Sequence, residues 1–309
     1  MVEIVAELGV NHNGNMILAY NLIDIAKEIG VNIVKFQAYK TENLVIKNSP
    51  QYNMLKSLEL SEEDLGNLFS YCKNIGINFL CSVFDLDSLE FISKLGIDRI
   101  KIPSGEINNL LLLNRVNDLR LPVILSTGMS SDDEIVQAFN YLWNCKVAPL
   151  HCVSLYPTSY EQANLKRMDW LFKFNKKVGL SDHSLGINIP IAAVARGATI
   201  IEKHLTINKN LDGPDHKASL EPQEFRQMVD SIRQVEKSLD FTELNIDQET
   251  AKIARKSLVA NKQIKKGEKF TEENITVKRP GIGIPADKYY QFLDKYASNN
   301  YQKDEMIKE

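Results

Sequence analysis

Cysteine is scarce in this chain. There are four in 309 residues, Cys72, Cys81, Cys145 and Cys152, and no two stand in CxxC spacing. That argues against a disulfide framework, and a reducing cytoplasm fits such thiols best. Cys81 and Cys152 fall in strand-like runs and read as buried. Long apolar runs are also missing; none approaches the roughly 18 residues that a spanning helix needs. The first residues, Met-Val-Glu-Ile-Val-Ala-Glu, carry an acid where a signal peptide would carry a basic segment. Positive charge is not in excess: 37 Lys and Arg stand against 40 Asp and Glu, net −3. Neither a nucleic-acid partner nor an anionic membrane surface is expected. No low-complexity tract occurs, and no Gly-x-Gly-x-x-Gly follows the first strand-like run.

What is present is a beat. Short apolar runs rich in β-branched residues occur at 3–10, 32–38, 78–84, 99–105, 122–128, 147–153, 177–183 and 199–205. A helical pattern follows each, at 15–29, 61–75, 88–94, 109–117, 131–143, 165–174, 187–196 and 221–239. Ser61-Glu-Glu-Asp and Ser130-Ser-Asp-Asp-Glu supply start signals, a cap residue with acids in the first turn. Strand–helix alternation implies parallel strands, and eight units with both strand faces apolar imply a closed (β/α)8 TIM barrel over 1–240. An open doubly wound sheet is the alternative. Residues 241–254 are polar and read as a linker or short helix. Residues 255–309 hold short strands and turns, a small β-rich domain that leans on the barrel or on a partner subunit.

In such a barrel the site forms at the C-terminal ends of the strands. Reading each run's end collects Glu7, Asn11 and His12; Lys35 and Gln37; Ser82 and Asp85; Lys101, Ser104 and Glu106; Ser126 and Thr127; His151, Ser154 and Tyr156; Ser181, Asp182 and His183; Glu202 and His204, with Asp215 and His216 just beyond. Lysine is seldom buried without an anion or a carboxylate, so Lys35 and Lys101 point to a bound anion. The simpler account is a salt bridge, for instance Lys101 with Glu106. Hydroxyls from Ser82, Ser104, Ser126, Ser154 and Ser181 would complete sites for a phosphate and a carboxylate on one small molecule. His183 and His204 end neighbouring runs and can converge on a divalent metal. The simpler account of that pair is two hydrogen-bonded core histidines. The carboxylates Glu7, Glu106, Glu202 and Asp215 would orient ligands, carry protons or bind hydroxyls. His12 reads as a rim residue, His151 as a core histidine and His216 as an exposed loop residue.

Taken in order, Ala-Glu7-Leu-Gly-Val-Asn-His-Asn-Gly, Val-Lys35-Phe-Gln, Lys101-Ile-Pro-Ser-Gly-Glu106, Leu-Ser-Thr-Gly-Met129, Tyr156-Pro-Thr, Gly-Leu-Ser-Asp-His183-Ser, Ile-Glu-Lys-His204 and Gly-Pro-Asp215-His resemble the sialic acid synthases. Arg255-Lys-Ser-Leu-Val-Ala, Ile-Lys-Lys-Gly-Glu and Lys-Arg279-Pro-Gly-Ile-Gly resemble their C-terminal antifreeze-like (SAF) domain. The resemblance spans nearly the whole chain. It implies condensation of phosphoenolpyruvate with an N-acetylated hexosamine, giving a nine-carbon 2-keto acid and phosphate. Lys35, Lys101, Ser104, Ser126, Ser154, Tyr156 and Ser181 would then hold phosphoenolpyruvate, His183 and His204 would bind Mn2+ or Mg2+, and Glu7, Gln37 and Asp215 would meet the sugar. Proton management is expected from Glu106 or Glu202. A domain-swapped homodimer is implied, with Arg279 reaching the other subunit's site. The motifs look most like the N-acetylneuraminate type, using N-acetylmannosamine; a legionaminate or pseudaminate synthase, using a diacetamido-6-deoxyhexose, is the alternative.

Two other readings stay open on the residues. A class I aldolase would use Lys35 or Lys101 as a Schiff base and would need no metal. A non-enzymatic sugar-binding module would use the same rim without turnover.

Overall fold

The computed structural model describes residues 1–240 and 247–309. Residues 241–246 of the expected linker therefore lie outside the described residues. The chain divides into two compact units, Met1–Asp240 and Phe241–Glu309.

In the first unit eight parallel strands close in chain order, and the last pairs with the first. They are β1 (Glu3–Glu7), β2 (Ile33–Ala38), β3 (Asn78–Val83), β4 (Ile100–Ile102), β5 (Val123–Ser126), β6 (Val147–Cys152), β7 (Gly179–Asp182) and β8 (Ile200–His204). The period of two sorts each strand. Ile4, Val34, Phe36, Cys81, Ile102, Leu125 and Ile201 face outward and pack under the helices. Val5, Ile33, Leu80, Ile124, Leu150 and Ile200 face inward and plug the barrel. Each of these buried aliphatic side chains contributes about 1.5–3 kcal/mol. Gly179 sits where β7 approaches its neighbours; a Cβ there would lie 2.5 Å from Ile200 O. A side chain at that position would push β7 out of the barrel.

The strands stop earlier than the apolar runs do. β1 ends at Glu7 rather than Val10 because the backbone leaves the ladder there: Leu8 N and Gly9 N both donate to Lys35 O, at 2.9 and 3.3 Å. Helices Met16–Ile29, Glu62–Ile75 and Asp132–Tyr141 start at side-chain caps from Asn15, Ser61 and Ser131, and the two serines form full capping boxes. The helix expected at 165–174 shrinks to Arg167–Leu171. Two helices not expected, Thr41–Leu44 and Tyr52–Leu58, fill the segment after β2.

The second unit carries helix Gln248–Ala254 and an antiparallel pair, β9 (Ser257–Ala260) with β10 (Ile275–Lys278). Its own core gathers Leu258, Ile264, Phe270, Ile275, Tyr301 and Ile307. Gly267 turns the chain at φ +83°, a conformation that disfavours other residues. Among the described residues no helix is long and apolar enough to cross a membrane, and all four cysteines are free.

Candidate active site

The same alternation that fills the barrel floor with aliphatic residues carries polar ones to its mouth. Two residues beyond Val5, Ile33, Leu80, Ile124 and Ile200 stand Glu7, Lys35, Ser82, Ser126 and Glu202, with Lys101, Cys152, Ser181, His183 and His204 on the same inward face. They line one cavity of about 470 Å3, within the range of small-molecule sites. Of the expected site residues it brings together Glu7, Lys35, Gln37, Ser82, Lys101, Ser104, Ser126, Ser154, Tyr156, Ser181, His183, Glu202, His204 and Asp215.

At the floor of the mouth the charges interlock. Lys35 Nζ lies 2.6 Å from Glu7 Oε2 and 2.8 Å from Glu202 Oε1, and Lys101 Nζ lies 3.4 Å from Glu202 Oε1. Lys101 also donates to Ser126 Oγ, and Ser181 Oγ donates to Glu202 Oε1 at 2.9 Å. The alternative pairing of Lys101 with Glu106 does not occur: Glu202, on the strand diametrically opposite in the closed barrel, takes the lysine. Burial pulls the Lys35 ammonium down to about 7, although Glu202 beside it favours the charged form. Glu202 moves the other way: burial alone would raise it, but Lys101 and Lys35 hold it well below the usual carboxylate range.

His183 and His204 face each other with ring centroids 5.5 Å apart, and the Tyr156 ring lies 4.0 Å from that of His183. His183 Nδ1 is 2.8 Å from Val153 O. A carbonyl only accepts, so Nδ1 carries a proton, which leaves Nε2 as the nitrogen that a metal would take. His204 Nδ1 is buried without a hydrogen-bond partner and lies 3.7 Å from Asp215 Oδ2. Burial lowers the pKa of His204 well below 6.5, which keeps it neutral. Glu7 Oε1 and Glu202 Oε2 are also buried and unpartnered among the described residues. Unmet buried polar atoms are costly, and these fit a bound cation and a polar substrate. The same residues contain no cluster of three or more His, Cys, Asp or Glu able to hold a metal. The two imidazoles would therefore need water or substrate oxygens to complete a coordination sphere.

Gly128 matters at the rim of β5. Its N–H donates to Ser104 Oγ at 3.0 Å, and a Cβ there would come within 2.8 Å of that oxygen. Glycine lets the backbone join the hydroxyl cluster.

The other expected residues lie elsewhere, two of the histidines, His216 and His12, against expectation. Glu106 does not line the cavity; it is half-buried and accepts from Asn109 Nδ2 at 2.7 Å. His216 is not exposed: it is fully buried, 2.7 Å from Thr206 Oγ1 and 3.1 Å from Asn13 Oδ1. His12 is buried too, its pKa lowered to about 4 by burial, and Gly14 N donates to its Nδ1. His151 points outward from β6 to Ala163 O at 2.7 Å, a satisfied core histidine. Arg279 is exposed and belongs to the second unit. The sequence reading missed Cys152, whose Sγ lies 3.9 Å from His183 Nδ1. It also missed a wall made by Val10, Gln51, Met54, Leu55, Leu58 and Phe84. Positions 51, 54, 55 and 58 follow helical spacing, the signal that could have found the wall.

A family model described as the NeuB family matches residues 22–243. The chain belongs to the NeuB family. A second model, the SAF domain, matches residues 255–309. Family relatives include the N,N'-diacetyllegionaminic acid synthase of Campylobacter jejuni subsp. jejuni serotype O:2, 44% identical over 99% of this chain and 98% of that protein. The N,N'-diacetyllegionaminic acid synthase of Legionella pneumophila subsp. pneumophila is 40% identical over 96% of this chain and 90% of that one. Among solved structures, the N-acetylneuraminic acid (sialic acid) synthetase of Leptospira borgpetersenii serovar Hardjo-bovis superposes with a TM-score of 0.76 at 36% identity, covering 81% of this chain and 88% of that chain.

Proposed function

We propose that the protein is a nonulosonic acid synthase that condenses phosphoenolpyruvate with an N-acetylated hexosamine and water, giving a nine-carbon 2-keto acid and inorganic phosphate. The observation that carries this reading is the meeting of two lysines, five serines, two histidines and the carboxylates Glu7, Glu202 and Asp215 on one cavity. Lys101 and the serine hydroxyls bind the phosphate and carboxylate of phosphoenolpyruvate, with Lys35 beside them. His183 and His204 would hold Mn2+ or Mg2+, which when bound supplies Lewis-acid polarisation of the sugar aldehyde. The methylene carbon of phosphoenolpyruvate bonds to the aldehyde carbon, and water adds to C2. The C2–O bond to phosphate then breaks. Glu202, held ionised by its lysines, faces the positive charge that develops at C2. Glu7, with Oε1 unpartnered, takes the proton of the incoming water. Glu106, turned to Asn109, is left out of this assignment.

Two relatives named as N,N'-diacetyllegionaminic acid synthases, at 44 and 40% identity, favour a diacetamido-6-deoxyhexose as acceptor. N-Acetylmannosamine, giving N-acetylneuraminate, is the second reading, and the superposition on a sialic acid synthetase favours it. We further propose a homodimer in which Arg279 of one copy completes the mouth of the other. An apolar collar of Met129, Leu155, Tyr156 and Leu185, each at least 46% exposed, supports a protein surface closing over the mouth. Four free thiols suit the cytoplasm. Incubation with phosphoenolpyruvate, Mn2+ and each acceptor in turn, with mass analysis of the products, tests the proposal. A product mass equal to acceptor plus pyruvate is expected for the diacetamido sugar. A lysine adduct trapped by borohydride would instead indicate a Schiff-base aldolase.

A further inference from the structure

The reaction itself does not require the apolar wall of the mouth. Helix Tyr52–Leu58 and the residue before it place Gln51, Met54, Leu55 and Leu58 on the cavity, beside Val10 and Phe84. Spacing of i, i+3, i+4 and i+7 means one helix face looks into the site. The other face is tied down. Tyr52 Oη donates to Glu42 Oε1 at 2.9 Å, and Lys56 Nζ pairs with Glu59 at 3.0 Å. Glu59 Oε2 in turn accepts from Thr41 N and Oγ1, at 2.9 and 2.7 Å. Tyr39 Oη donates to Leu55 O at 2.9 Å. Gly14, at φ +67°, leaves room for Ser57 O, which would lie 2.5 Å from a Cβ there. The wall is a fixed surface held from several sides.

Its place in the barrel order says what it meets. β8 is followed round the barrel by β1 and β2. The new carbon–carbon bond must form near His183 and His204, so the acceptor's aldehyde end lies there. An open sugar so placed would extend past Glu7 and Gln37 toward the segment after β2. Its far end, C6, would then reach Met54, Leu55 and Leu58. A methyl at C6 would exchange water for apolar contact, whereas a hydroxymethyl against Met54, Leu55 and Leu58 would lose water, with Gln51 the one polar side chain among the named wall residues.

We infer that the helix Tyr52–Leu58, through Met54, Leu55 and Leu58, selects a 6-deoxy acetamido sugar over one bearing a C6 hydroxyl. The inference rests on the condensation proposed above. The test compares kcat/KM for the diacetamido-6-deoxyhexose and its 6-hydroxy counterpart, which differ by one oxygen, in the wild type, Met54→Gln and Leu55→Gln. The wild type is expected to prefer the 6-deoxy sugar by roughly tenfold or more, the scale on which apolar pockets discriminate single groups. Each variant should cut that ratio about fivefold through the acceptor KM, with the KM for phosphoenolpyruvate unchanged. Met54 is 39% exposed, so its replacement leaves folding intact and carries the test if Leu55→Gln does not fold. A wild-type ratio of one or below, or a ratio unmoved in both variants, would overturn the inference while phosphate release left the condensation standing. No phosphate release with any acceptor would overturn both.

Discussion

The two halves of the barrel mouth are built differently. From β3 to β7 the cavity is lined by Ser82, Lys101, Ser104, Ser126, Ser154 and Ser181, hydroxyls and a cation that suit a small dianion. From β8 through β1 to the segment after β2 it is lined by Glu202, Asp215, Glu7, Gln37 and the wall of Met54, Leu55 and Leu58. That half suits a neutral molecule with hydroxyl groups and an apolar end. Lys35, paired with Glu7 and Glu202, marks the seam. On the proposed function the difference makes this mouth two adjoining sites, with a point of contact where His183 and His204 face each other.

Perturbing one half at a time should separate them. The largest effect is expected at the contact point. His204→Ala should abolish metal-dependent turnover and Mn2+ binding by calorimetry, with the thermal transition retained; full activity would refute the ligand assignment. Next, Lys101→Met should lower kcat/KM about 10^2–10^3-fold, the scale of one lost electrostatic contact. Its KM rise should be confined to phosphoenolpyruvate, and an equal rise for the acceptor would erase the division into halves. Lys203 and Asp182 form a buried pair at 2.5 Å on the outward faces of β8 and β7. Lys203→Met should cost about 3–5 kcal/mol in urea unfolding, as breaking a buried pair does.

The smallest effect is one of pH. Burial holds Lys35 down to about 7 in the free protein, so at pH 8 most of it is neutral. An arriving dianion favours the ammonium, so binding takes up a proton. The Kd for phosphoenolpyruvate should therefore rise above pH 7, by at most about tenfold per pH unit. Calorimetry in two buffers of different ionisation heat reads the proton directly, and Lys35→Met should remove the dependence.

The first half of the mouth was legible in the sequence and the second only partly. Strand ends can be read from apolar runs, and the serines and lysines stand at those ends. Alternation also separates inward His183 and His204 from outward His151 and Lys203, a sorting that needs only the period of two. The wall was not read because 39–60 holds Asn48-Ser49-Pro50 and polar residues that resemble a loop, and its helices are fixed by Tyr39, Thr41 and Gly14. Glu106 lies off the cavity lining because a carboxylate near a strand end need not face the axis: β4 stops at Ile102, and a 3-10 turn at Ser104–Glu106 aims it at Asn109. Lys101 found Glu202 because closure of the barrel brings β4 and β8 across one interior, a pairing that linear proximity hides.

The central claim is that the two halves act together as one condensing site. Phosphate release from phosphoenolpyruvate, followed with and without the diacetamido acceptor in the presence of Mn2+, tests it most directly. Release that needs the acceptor and matches the new 2-keto acid mole for mole is the expected result. Release without the acceptor, or none with any N-acetylated hexosamine, would contradict it.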